Sequence, residues 1–200
     1  MCDLFNELVY INSSSLSDKL CIDIIELFEN DEDKYKGVTG KGFDETFKLT
    51  TDLNVTIKSN TDDIWKRIHD LLIKELTYNL KTYIKKFESL VNNEDYNLFQ
   101  SSNLGVEIIL LQRYKANTGF FKYHDDHRIN WKNKSKRVLV FIWYLNDVYE
   151  GGETELCGIY KIKPTVGKLL VFPAEWTFPH RGIMPKTNDK YILTGWINSY

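Results

Sequence analysis

The sequence predicts a mainly β protein with N-terminal helices, an α+β chain whose core is a jelly roll (a double-stranded β-helix). Three observations carry that prediction. From Val106 onward the apolar residues fall into eight short runs separated by turn residues, the pattern of an antiparallel sandwich or barrel. Before that point, two stretches repeat apolar residues at helical spacing instead. No linker, repeat or low-complexity segment divides the 200 residues, so a single domain is expected over 1–200. Within it, 1–104 is a helical support region and 105–198 the jelly-roll core.

The elements follow in order. Leu8 to Ile11 is a short apolar run, read as a first strand. Ser17 then opens an amphipathic helix through Leu20, Ile24, Ile25 and Leu27 to about Phe28. Residues 29–34 are a solvated loop, Gly37 to Leu53 reads as irregular or hairpin, and Asn54 to Lys58 alternates like a strand. The longest helical signal spans about Asp62 to Val91, carried by Trp65, Ile68, Leu72, Leu76, Leu80 and Tyr83, with a possible break near Leu76 to Asn79. His69 lies inside it and is read as an ordinary helical histidine. The β runs are Val106–Tyr114, Phe120–Asp126, Arg137–Leu145, Glu153–Cys157, Tyr160–Ile162, Lys168–Phe172, a short piece around His180, and Tyr191–Ile197.

Composition narrows the class. A net charge of -2 gives no global pull toward nucleic acid or a membrane surface. The three cysteines, Cys2, Cys21 and Cys157, are odd in number and form no C-x-x-C, so a disulfide framework is not expected and a reducing, cytoplasmic setting is. No signal peptide or membrane-spanning run is readable.

The chemistry gathers at Gly119-Phe-Phe-Lys-Tyr-His124-Asp125-Asp126. Side chains alternate along a strand, so His124 and Asp126 share one face while Asp125 and His127 take the other. An imidazole beside a carboxylate is two thirds of a metal site, and His180 is the candidate third ligand. Two histidines and one carboxylate on one side of a metal leave its opposite positions open, as in non-heme Fe(II) oxygenases. Catalytic zinc uses the same ligand types.

The wider context separates the two. Tyr114 lies ten positions before His124, Tyr144-Leu-Asn closes the third β run, Gly151-Gly152 follows, and Lys190 lies ten positions after His180. In this order these pieces resemble the 2-oxoglutarate/Fe(II)-dependent oxygenases, in their prolyl 4-hydroxylase-like branch. The resemblance covers residues 105 to 198, which would make that half the catalytic core. It implies Fe(II) held by His124, Asp126 and His180, with 2-oxoglutarate and O2 as cosubstrates and ascorbate as reductant. It also implies that Lys190 pairs with the distal carboxylate of 2-oxoglutarate, with Tyr144, Tyr114 and Thr194 lining that pocket. The activity implied is hydroxylation of a C–H bond, at the 4-position of prolyl residues in a peptide or protein.

Two features bear on substrate. Phe121 stands where the family often has a tyrosine three before the first histidine, so a hydroxyl on the substrate side is missing. The stretch from His127 to Arg137 carries Arg128, Lys132, Lys134, Lys136 and Arg137 and no acid. Two readings stay open: a mobile lid, with Trp131 and Arg128 as substrate contacts and the basic residues favouring acidic flanking sequence, or a solvated hairpin whose charges only keep it soluble. Other readings stay open: a same-fold oxygenase acting on a free amino acid or nucleobase, or a non-catalytic jelly-roll binding module. A nucleic-acid partner is disfavoured by charge, and no oligomeric state is readable.

Overall fold

The computed structural model describes residues 7–91, 98–99 and 103–200. In chain order the elements are β1 (Tyr10–Asn12), α1 (Asp18–Asn30), β2 (Tyr35–Lys36), β3 (Lys48–Leu49), β4 (Thr51–Asn54), α2 (Val55–Lys58) and α3 (Asp63–Val91). The β half follows: β5 (Leu104–Tyr114), β6 (Phe120–His124), β7 (Ile129–Asn130), β8 (Ser135–Tyr144), β9 (Thr154–Leu156), β10 (Tyr160–Ile162), β11 (Leu169–Pro173), β12 (His180–Gly182) and β13 (Lys190–Ser199). The larger sheet runs β1-β11-β8-β13-β5-β4-β2, with β7 on β8; the smaller runs β10-β9-β12-β6-β3. Every strand pairing is antiparallel. Two facing antiparallel sheets make the jelly roll the sequence predicted.

Strand periodicity explains the layering. Along β8, Leu139, Phe141 and Trp143 pack with Ile24, Phe28, Trp65 and Leu72 of α1 and α3. The alternate residues Val140, Ile142 and Tyr144 pack with Leu156 and Phe172 on the other side. A strand buried on both faces reads as a continuous apolar run, which is why Arg137 to Leu145 carried so clear a signal. Each fully buried Leu or Phe contributes about 1.5–3 kcal/mol of transfer free energy. The helices therefore brace one face of the larger sheet, and its other face is left to build a cavity.

Several sequence expectations are corrected in detail. Asn54 to Lys58 is not a strand: β4 ends at Asn54, whose side chain accepts the Ile57 N–H at 2.9 Å and caps the single turn of α2. The long helix does not break near Leu76 to Asn79. Asn79 is buried there but satisfied, accepting from Tyr10 Oη and Asn12 Nδ2 and donating to Glu75 Oε1, so α3 continues through it. The second β run ends at His124 rather than Asp126. Three short strands, β2, β3 and β7, were not foreseen; at two residues each they are too short to show a period.

Cys21 and Cys157 are free thiols, and Cys2 lies outside the described residues. No helix among the described residues is long and apolar enough to cross a membrane.

Candidate active site

Pairing of β12 with β6 places His180 directly opposite His124. Directly opposed residues hold their Cβ atoms close, and the two imidazole centroids lie 4.3 Å apart. Asp126, two residues past the end of β6, turns back so that its Oδ2 lies 3.4 Å from His180 Nε2. The ligand atoms of His124, Asp126 and His180 all fall within 4.8 Å of one another, close enough to hold one metal ion. Asp125 takes no part: its Oδ1 accepts the backbone N–H of His127 at 3.1 Å in a local turn.

The tautomers suit ligation. His124 Nδ1 lies 2.8 Å from the Lys122 carbonyl and His180 Nδ1 lies 3.1 Å from the Phe178 carbonyl. A carbonyl only accepts, so each Nδ1 carries a hydrogen, and Nε2 is the ring atom turned to the metal position. Burial, and then the neighbouring His180, push His124 down to about 4, so it is neutral at physiological pH. Burial would raise the Asp126 carboxyl, but its contacts with His180 and the nearby His124 outweigh that and hold it well below the usual carboxylate range. Two imidazoles and an ionised carboxylate fit Fe(II) as a donor set, and zinc takes the same ligand types. Phe121 stacks on His124 at 3.7 Å and Phe172 meets His180 edge-on at 4.9 Å, so apolar rings wall the metal position.

The same cavity, about 1260 Å3 in volume, reaches Lys190. Lys190 opens β13 opposite Tyr114 of β5 and is only 1% exposed. Its Nζ donates to the Gly152 carbonyl at 2.9 Å and stands 4.0 Å above the centre of the Tyr114 ring. Among the described residues no carboxylate lies within salt-bridge distance of it. Burial pulls the ammonium down to about 7, against a smaller opposing pull from Glu153. Gly151 and Gly152 form the turn beside it with φ of 72° and 76°, a left-handed pair that suits glycine.

The remaining residues named from the sequence divide. Tyr144 is fully buried with its hydroxyl 2.7 Å from Thr154 Oγ1; Thr154, not Tyr144, lines the cavity. Thr194 lines it too, its hydroxyl donating to the Phe141 carbonyl at 3.0 Å. Phe121 and Arg128 border the cavity, whereas Trp131 is 81% exposed on the β7–β8 hairpin and outside the lining.

One constellation was missed. Arg137 grips Glu107 with two hydrogen bonds of 2.8 and 2.6 Å, lies 3.6 Å over the Trp196 ring, and brings Nη1 to 4.0 Å from Asp126 Oδ1. The Trp196 indole N–H also helps hold the Asp126 carboxyl down, although it makes no hydrogen bond of ordinary length and angle. Reading Arg137 as part of the basic loop hid its role. The available signal was a charge at the head of a strand otherwise buried on both faces.

With the geometry established, comparison with known proteins is informative. Residues 109–198 match the family model of the 2OG-Fe(II) oxygenase superfamily. No curated protein sequence matches the chain. Among solved structures, the chain is similar to the viral collagen prolyl hydroxylase of Paramecium Bursaria Chlorella virus-1 in its 2OG complex (18% identity, TM-score 0.62, covering 96% of each chain). It is also similar to a Trichoplax adhaerens prolyl hydroxylase in complex with a hypoxia inducible factor oxygen degradation domain peptide fragment (16% identity, TM-score 0.70, covering 97% of this chain and 84% of that one). A Pseudomonas putida prolyl-4-hydroxylase aligns at 16% identity and TM-score 0.61 over 97% of this chain and 94% of its own. The fold is shared with these solved structures, and over residues 109–198 the sequence likeness is to the 2OG-Fe(II) oxygenase superfamily.

Proposed function

We propose that this chain is an Fe(II)- and 2-oxoglutarate-dependent dioxygenase that hydroxylates prolyl residues of a peptide or protein at the 4-position. The observation that carries the reading is one cavity with a three-ligand metal position and a buried lysine that lacks an anion. A buried charge without a partner is costly, so such a lysine is explained by an anion that arrives with the cosubstrate. A zinc hydrolase would have no use for it.

In this reading His124, Asp126 and His180 hold Fe(II) by Nε2 and carboxylate oxygen, and Lys190 receives the distal carboxylate of 2-oxoglutarate. When bound, Fe(II) and 2-oxoglutarate supply the oxidising chemistry, with O2 consumed and CO2 and succinate formed, and ascorbate keeps the metal reduced. The chain positions and shields. Phe121 and Phe172 exclude water around the imidazoles, and the Tyr114 ring and Thr154 confine the diacid beside Lys190. Arg137, fixed by Glu107 and stacked on Trp196, orients the Asp126 carboxylate. Arg128 and the exposed Trp131 are assigned to the peptide outside the cavity mouth. The cysteine pattern favours a cytoplasmic setting.

The test is succinate release with Fe(II), ascorbate and 2-oxoglutarate, first alone and then with proline-rich peptides, free amino acids and oligonucleotides, each followed by mass. A gain of one oxygen on a prolyl residue with matched succinate supports the proposal. Oxidation of a free amino acid or a nucleobase moves the substrate class. No turnover with any substrate, despite metal and 2-oxoglutarate binding, points to a non-catalytic module.

A further inference from the structure

A second buried lysine faces the same cavity, and unlike Lys190 it is paired. Lys48 of β3 is 2% exposed, and its Nζ lies 2.7 Å from Asp52 Oδ2 of β4, itself buried. Asp52 Oδ2 also accepts from Gln112 Nε2 at 3.1 Å. Gln112 Oε1 in turn accepts from the Tyr114 hydroxyl at 3.3 Å. The segment before β3 presses closely on this chain: a Cβ on Gly37 would stand 2.9 Å from Lys48 Cε and 2.0 Å from Thr50 Oγ1.

Each member of the chain has a fixed polarity. An ammonium only donates and an ionised carboxylate only accepts. Gln112 must therefore turn its NH2 toward Asp52, which leaves its carbonyl oxygen facing Tyr114. That oxygen only accepts, so the Tyr114 O–H must point to it. The hydroxyl has one hydrogen, and the chain that begins at Lys48 uses it.

From this the geometry points to Lys48, Asp52 and Gln112 as positioning residues that hold the Tyr114 hydroxyl away from the cosubstrate, so that Tyr114 serves Lys190 with its ring and does not donate to the diacid. The inference rests on the proposed 2-oxoglutarate site and deepens it. It assigns hydrogen bonding of the distal carboxylate to Lys190 and to the Thr154 hydroxyl, which accepts from Tyr144 and keeps its own hydrogen to give.

The experiment measures 2-oxoglutarate binding without O2 to the Fe(II)-loaded protein, comparing Tyr114→Phe in the wild-type and Gln112→Leu backgrounds. Thermal unfolding checks that all four proteins are folded. In the wild-type background Tyr114→Phe should change the dissociation constant by less than about twofold. In the Gln112→Leu background the hydroxyl is released, and Tyr114→Phe should then weaken binding by about fivefold or more, the scale of one net hydrogen bond. A loss of that size in the wild-type background would show that the hydroxyl already serves the diacid, and the inference would be wrong. Insensitivity in both backgrounds would show that Gln112 is not what keeps the hydroxyl away, and would overturn it equally. Absence of 2-oxoglutarate binding to the wild-type protein is a different outcome, which rejects the proposed function and this inference together. A second variant, Tyr114→Leu, removes the ring as well and should weaken binding about tenfold or more through Lys190, as loss of a buried cation–π contact would; retained affinity would again count against the inference.

Discussion

Lys48 and Lys190 line one cavity, both almost completely buried, and the difference between them separates structure from function. Lys48 of β3 has its own carboxylate, Asp52 of β4, at 2.7 Å. Lys190 has a backbone carbonyl and an aromatic face and, among the described residues, no carboxylate within salt-bridge distance. A buried charge with a partner is finished when the chain folds. A buried charge without one is finished only when a ligand arrives.

The largest expected effect belongs to the metal position in the same cavity and sets the scale for both lysines. Asp126→Ala should abolish metal-dependent turnover, whereas Asp125→Ala should retain most of it, as measured by succinate release. The reverse result would mean the wrong carboxylate has been placed at the metal.

The two lysines come next. Lys190→Ala should raise the 2-oxoglutarate KM by about a hundredfold or more with iron binding nearly intact, because a desolvated charge pair is lost. Lys48→Met should instead reduce stability, by about 3–5 kcal/mol in chemical denaturation, because it leaves Asp52 buried and unpaired. If the two substitutions gave the same phenotype, the contrast between the lysines would fail.

A pH effect should follow from Lys190 alone. In the diacid-free protein burial lowers it from an ordinary value of 10.5 to about 7. Between those values the unfolded chain binds the extra proton, so this group's contribution to stability rises with pH above about 7. Diacid binding needs the ammonium and must take that proton back. Affinity for 2-oxoglutarate should therefore fall as pH rises above 7, by up to about tenfold per unit. Titration at pH 7 and 9 checks the slope, and Lys190→Met should abolish it.

The smallest effect is expected outside the cavity. Replacing Lys132, Lys134 and Lys136 with Ser should reduce kcat/KM severalfold for acidic proline-containing peptides and spare neutral ones. Lys136 already pairs with Glu175 at 2.6 Å, which leaves Lys132 and Lys134 to carry most of the difference. An equal change for both peptide classes would remove charge from the account of selectivity.

Legibility in the sequence followed the same division. His124 and Asp126 could be read from the alternation expected of a strand, and His180 and Lys190 from the resemblance carried by the segments around them; the cavity brings all four together. The three layers could be read because β8 is apolar on both faces. Lys48, Asp52 and Gln112 could not: the chain they form joins β3, β4 and β5, and two of those strands lie in a stretch that gave no periodic signal. Arg137 and Glu107 were hidden for a similar reason, since their partnership joins strands 30 residues apart in the chain. Asp126 joins His124 and His180 although β6 stops at His124, because the chain turns back toward His180 where a continued strand had been expected.

The most direct test of the central claim, that one cavity holds a metal at the triad and a diacid at Lys190, is calorimetric titration of 2-oxoglutarate into the Fe(II)-loaded protein without O2. The expected result is one equivalent bound by the wild-type protein, with affinity lost on removing the metal, on Asp126→Ala and on Lys190→Ala. Binding that is indifferent both to the metal and to Lys190, or no binding at all, would contradict it.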